Sequence, residues 1–122
     1  MTHAPPILHL LPLGDWEHFL ASGGSAYEPA SLASEGFVHC TGSDELLLRV
    51  ANSFYRDVPD PVAVLSVDPA RLGSEVVWEA PPGSDPLAAE RFPHVYGPLD
   101  RDAVVAVRRL VRDPSGRAIA IR

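Results

Sequence analysis

The sequence predicts an α+β domain, and three stretches carry that prediction. Val62 to Val67 is a continuous apolar, largely β-branched run, the pattern of a strand covered on both faces. Ser43 to Tyr55 sets Leu46, Val50 and Phe54 beside Leu47, Ala51 and Tyr55 in two i, i+4 rows, which is the buried stripe of an amphipathic helix. Ala103 to Val111 and Arg117 to Ile121 flank the turn signal Asp113-Pro-Ser-Gly116 and read as a terminal hairpin. Helical patterns fall early in the chain and strand patterns dominate later, an α+β order and not a regular βαβ repeat.

The remaining elements follow in order. Ile7 to Leu11 reads as a first strand ending near Pro12. Asp15 can cap a short helix whose Trp16, Phe19 and Leu20 recur at i, i+3 and i+4, with Gly23-Gly24 stopping it. Residues 25–35 read as a loop with at most one turn near Ser31. Gly36 to Thr41 is a second short strand. Ser43, followed by Asp44 and Glu45, suits the positive start of the main helix. Arg49, Asn52 and Arg56 fall outside the stripe of that helix, and Pro59-Asp-Pro61 ends the pattern. Asp68 to Gly73 is a turn, Glu75 to Glu79 a strand, and residues 80–91, with three prolines and Gly-Ser-Asp, an exposed loop. The sum is about six or seven strands and two main helices in the N-terminal half, without internal repeats.

Composition narrows the function classes. A chain of 122 residues is one domain by length, and 46% hydrophobic residues fit a globular core. No apolar run approaches the roughly 20 residues of a membrane helix, and the start lacks the pattern of a secretory signal. The single cysteine, Cys40, excludes an internal disulfide, and a cytoplasmic location is expected. A net charge of −6 makes nucleic acid an unlikely partner. All ten basic residues are arginine, six of them in the last 22 residues. That cluster marks either an anion or partner surface or simply solvated strand faces; the missing lysines exclude a Schiff base.

The chemistry concentrates in two segments. In Phe92-Pro-His-Val-Tyr-Gly-Pro-Leu99, prolines and glycine specify a rigid path, and alternation sets His94 and Tyr96 on one face with Val95 on the other. In Gly36-Phe-Val-His-Cys-Thr41, His39 and Thr41 share a face in the same way. Two apolar strands, each with a polar pair on one side, predict a site. Glu79 follows Trp78 at a strand end, where a surface carboxylate is also ordinary, and His9 lies among Ile7, Leu8, Leu10 and Leu11, as a satisfied core histidine would. Trp16, Trp78, Phe54 and Tyr55 read as core. No ligand spacing favours a metal, and none is expected. A Cys40–His39 nucleophilic pair fails because adjacent strand residues face opposite sides.

Several pieces resemble a known family: Ile7-Leu-His-Leu10, Tyr27 with Ser31-Leu32, Glu35-Gly-Phe-Val-His-Cys-Thr41, Val50-Ala-Asn52 with Phe54-Tyr55, Trp78-Glu79, and Phe92 to Leu99 with Ala103-Val104. On these residues the chain is identified as a member of domain of unknown function 952, with the likeness running from about residue 7 to 116. The resemblance implies an ADP-ribosyltransferase-like fold, a split core that grips NAD between two small sheets. It implies that His9 binds a ribose, that His39 with Thr41 lines the nicotinamide, and that a third position falls at His94 or Tyr96. The superfamily's late-strand glutamate has no equivalent in that segment, and Glu79 is the nearest replacement. The expected NAD contacts are thus His9, His39, Thr41, His94 and Tyr96, and the catalytic candidates are His39, His94 and Glu79.

The function expected is binding of NAD or a related nucleotide; if the domain is catalytic, the reaction is release of nicotinamide with transfer of ADP-ribose to a small acceptor or a protein. Breaking that bond builds positive charge on the sugar, so the site must hold the ribose hydroxyls, exclude water and place a carboxylate where charge develops. Two alternatives remain open: a non-catalytic nucleotide-sensing or protein-interaction module, and an RNA 2′-phosphotransferase-like enzyme, which the acidic balance disfavours.

Overall fold

The computed structural model describes residues 4–81, 83–84 and 90–122. The apolar run at 62–67 lies at its centre. In chain order the elements are β1 (Ile7–Pro12), α1 (Leu13–Ser22), β2 (Ala26–Tyr27), α2 (Ala30–Glu35), β3 (Val38–His39), α3 (Asp44–Phe54), β4 (Val62–Val67), β5 (Glu75–Glu79), β6 (Phe92–Tyr96), β7 (Leu99–Asp100), β8 (Val104–Arg112) and β9 (Ala118–Ile121). Short 3₁₀ turns precede β5 and β8. The fold is α+β.

Every residue of β4 is buried because the strand separates two cores. Ala63, Leu65 and Val67 pack with Ile7, Leu11, Trp16 and Phe19 on one side. Val62 and Val64 pack with Leu8, Leu10, Leu47 and Ala51 of β1 and α3 on the other. Each fully buried Val or Leu side chain stabilises by about 1.5–3 kcal/mol. β4 is flanked by β1 and β8 in an antiparallel sheet of order β1-β4-β8-β9. A second sheet has the order β3-β6-β5, and β2 pairs with β7. Reciprocal backbone hydrogen bonds between Leu8 and Thr41, both 2.8 Å, join β1 to the end of β3.

Among the described residues, nine strands and three α-helices stand where six or seven strands and two main helices were expected. The added strands β2 and β7 have two residues each, too few to show alternation. α2 occupies the stretch read as a loop; it buries none of its residues, so no apolar stripe announces it. Gly36 ends it at φ 86°, its N–H bonded to the Leu32 carbonyl. α1 begins at Leu13, with Asp15 in its first turn and no side-chain cap. Part of the expected 80–91 loop, residues 82 and 85–89, lies outside the described residues.

Four side chains hold α3. Ser43 Oγ accepts from Leu46 N at 3.2 Å, capping its start. Arg108 forks onto Asp44 at 2.9 and 2.7 Å, and Arg112 donates to the Tyr55 and Val58 carbonyls at its end. Two of the C-terminal arginines thus serve the fold itself. Asn52 adds a further tie from the middle of the helix and is no idle surface residue. Its Nδ2 donates to the Ala118 carbonyl at 3.1 Å and its Oδ1 accepts from Ala118 N at 2.7 Å, as a neighbouring strand would. Asn52→Ala is expected to lower stability by about 1–3 kcal/mol, because it leaves both Ala118 groups unpaired in a half-buried place. A urea midpoint equal to that of the parent protein would refute this role.

No helix among the described residues is long and apolar enough to cross a membrane.

Candidate functional site

β3 and β6 set His39 directly opposite His94. Facing cross-strand residues share a side of the sheet, and the two imidazoles stand edge to face with centroids 5.6 Å apart. Phe37, buried just ahead of β3, stacks on His94 at 4.1 Å and meets His39 edge-on at 4.8 Å. This ring fixes both imidazoles laterally.

Each imidazole is also held by a carboxylate. His94 donates from Nδ1 to Glu79 Oε1 at 2.8 Å, and the Tyr96 hydroxyl donates to the same oxygen. Glu79 lies opposite Phe92 in the β5–β6 register and so reaches His94 diagonally. The donation from Tyr96, then that from His94, holds the Glu79 carboxyl below its usual range, while the same bond raises the Tyr96 phenol. His39 donates from Nε2 to Glu35 Oε2 at 2.6 Å, from strand to the last residue of α2.

A cleft of about 370 Å³ opens beside the histidine pair. His39, Cys40, Thr41 and His94 form its strand side. Val50, Phe54 and Tyr55 from α3 face them, with Pro81 and Phe92 completing the lining. A smaller cleft of about 240 Å³ adjoins it across Val50, Phe54 and Phe92 and carries the ion pair of Arg49 with Glu90, 2.7 Å long. No group of three or more metal-ligating side chains occurs among the described residues.

The family described as "Protein of unknown function (DUF952)" matches residues 10–107. The chain belongs to the DUF952 family. The matched range includes every described residue lining the cleft and stops one position short of His9. This DUF952 chain is similar to protein CC0527 from Caulobacter crescentus: its crystal structure is 28% identical, covers 93% of both chains and superposes with a TM-score of 0.72. The solution NMR structure of CC0527 gives 28% identity, coverage of 91% of this chain and 89% of that one, and a TM-score of 0.71. No curated protein matches.

Of the residues expected in the site of this DUF952 protein, His39, Thr41 and His94 line the cleft, and Tyr96 and Glu79 stand together behind His94. Glu79 is therefore placed to orient an imidazole; it is not among the residues lining the cleft. His9 stands apart from the cleft. It is 5% exposed, is absent from the cleft lining, and donates from Nδ1 to the His39 carbonyl at 2.8 Å. Burial pushes its pKa down to about 4, so the ring is neutral and acts as a brace for the His39 strand. Cys40 touches the cleft, but burial pushes its thiol up to about 12, which leaves no thiolate for nucleophilic chemistry.

The aromatic wall was not legible as such. Phe54, read as core, is 80% exposed, and Tyr55 is half-buried at the cleft. Helical spacing places them on the stripe, yet the stripe outruns the core after Ala51 and the remainder faces open space. Trp78, also read as core, is 51% exposed, and its ring tip covers Gly42 so closely that a Cβ there would meet it at 2.8 Å. Trp16 is core.

Proposed function

We propose that this protein binds NAD or a related nucleotide in the cleft beside His39 and His94. The observation that carries the reading is the convergence of two carboxylate-held imidazoles on an opening whose opposite wall is aromatic. Imidazole nitrogens and the Thr41 hydroxyl suit ribose hydroxyls, and the rings of Phe54, Tyr55 and Phe92 suit a planar base. The ADP-ribosyltransferase-like split core that the sequence resembles points to the same class of ligand. A cytoplasmic setting suits the unpaired thiol of Cys40.

A ligand that binds only the folded state at 100 times its Kd adds about 2.7 kcal/mol of stability. NAD or ADP-ribose is therefore expected to raise Tm by several degrees, and His39→Ala to abolish the shift. No shift with either compound, or a shift retained in both His39→Ala and His94→Ala, refutes the site.

The His94–Glu79 contact favours a second reading, in which the bound nucleotide is turned over. An imidazole oriented by a carboxylate can take the proton of an acceptor hydroxyl as ADP-ribose is transferred and nicotinamide leaves. On that reading nicotinamide release is measurable and is lost in Glu79→Gln; binding without release identifies a nucleotide sensor.

A further inference from the structure

Two carboxylates decide what the cleft can offer a ligand. An ionised carboxylate only accepts hydrogen bonds, and a neutral imidazole carries one N–H. Glu79 draws that proton to Nδ1 of His94, and Glu35 draws it to Nε2 of His39. Neither glutamate lines the cleft. In a neutral ring held this way, the nitrogen left over is Nε2 for His94 and Nδ1 for His39, and it is an acceptor. Two acceptors from adjacent strands call for two donors on the ligand, and the neighbouring hydroxyls of a ribose are such a pair.

The same cleft is poor in positive charge. A phosphate needs a cation or an unfilled helix start. No arginine is among the described lining residues, the chain has no lysine, and the residues outside the described set contain no arginine. The start of α3 is already occupied by Ser43 Oγ and by Asp44 and Glu45 in its first turn. Arg49, in the adjoining cleft, is engaged by Glu90. A volume of about 370 Å³ is near the lower end of small-molecule pockets, which span about 300–1,000 Å³.

We infer that the moiety inside the cleft is a phosphate-free ribonucleoside, held by ribose hydroxyls donating to His39 and His94 and by its base on the Phe54–Tyr55 wall, with any phosphates outside. The inference rests on the nucleotide reading above and specifies which part of the nucleotide is recognised.

Isothermal titration with adenosine, nicotinamide riboside, 2′-deoxyadenosine, AMP and NAD tests it. One of the two ribonucleosides is expected to bind within threefold of its phosphorylated counterpart, and loss of the 2′-hydroxyl to weaken adenosine about tenfold where adenosine is the ligand. Nitrogen-15 NMR of the parent protein is expected to show His94 protonated on Nδ1 and bare on Nε2, with that preference lost in Glu79→Gln. NAD binding with both nucleosides more than a hundredfold weaker overturns this inference and leaves the nucleotide reading standing. A proton on Nε2 of His94 in the parent protein overturns the acceptor argument. Failure of all five compounds to bind overturns both.

Discussion

Lowering the pH from 7 to 4 is expected to remove about 3 kcal/mol of folding stability through His9 alone. The ring is buried between β1 and its neighbours, and that burial outweighs the hydrogen bond to the His39 carbonyl, so the native pKa falls from 6.5 to about 4. In the unfolded chain the ring takes its proton near pH 6.5. Between about 6.5 and 4 the unfolded state therefore holds more protons, and stability falls with falling pH at about 1.4 kcal/mol per unit. Above 6.5 the contribution is complete; below about 4 both states are protonated and the slope vanishes. Against a typical total of 5–15 kcal/mol the loss is large. The depressed carboxyls of Glu79 and Asp44 act later, because their stabilisation is lost only as pH falls below their unfolded values of 4.5 and 3.8. Urea titrations at pH 7, 6 and 5 isolate the histidine window. His9→Asn, which keeps a donor for the His39 carbonyl, is expected to flatten the profile there. A parent protein whose midpoint does not move between pH 6.5 and 5 contradicts the burial account.

That brace also shows which parts of the molecule a sequence can disclose. β4 and α3 were legible because each repeats its pattern long enough to define both a period and a face. α2, β2 and β7 carry too few residues for a period, and their conformations depend on neighbours distant in the chain. Alternation placed His39 with Thr41 and His94 with Tyr96, which is local geometry. It could not say that β3 pairs with β6 in a register that opposes the two histidines, nor that Glu79 of β5 and Glu35 of α2 would each take one ring proton. Those are consequences of nonlocal pairing. The apolar residues around His9 did point toward a satisfied core histidine, and the structure places it so. Phe54 was misjudged for a different reason: periodicity reports which residues face inward, and at the end of α3 that direction meets a cleft, while Tyr55 both packs on the core and lines the opening.

The end of α3 also carries the other large expected effect, a loss of about 3 kcal/mol in Arg112→Met. Tyr55 caps the helix, so its carbonyl lies where the helical ladder runs out and the dipole is negative. Arg112 answers both features. Its Nη2 donates to that carbonyl at 2.7 Å, its Nη1 donates to the Val58 carbonyl, and Asp60 lies 3.6 Å from the guanidinium. The side chain is only 8% exposed, so solvent has little room to replace it. Hydrogen bonds to a charged group contribute about 1.5–3 kcal/mol each, and methionine keeps the apolar stem while removing both donors. Arg112→Lys is expected to restore less than half of the loss, since one ammonium cannot reproduce the planar fork. Because Tyr55 and Phe54 form the cleft wall, fraying this end also displaces the surface proposed to receive the base. The NAD-induced shift in Tm is therefore expected to shrink in Arg112→Met even at temperatures where that variant remains folded. A Met variant with the parent's urea midpoint removes the capping role, and one that is destabilised yet keeps the full NAD shift separates the helix end from the binding wall.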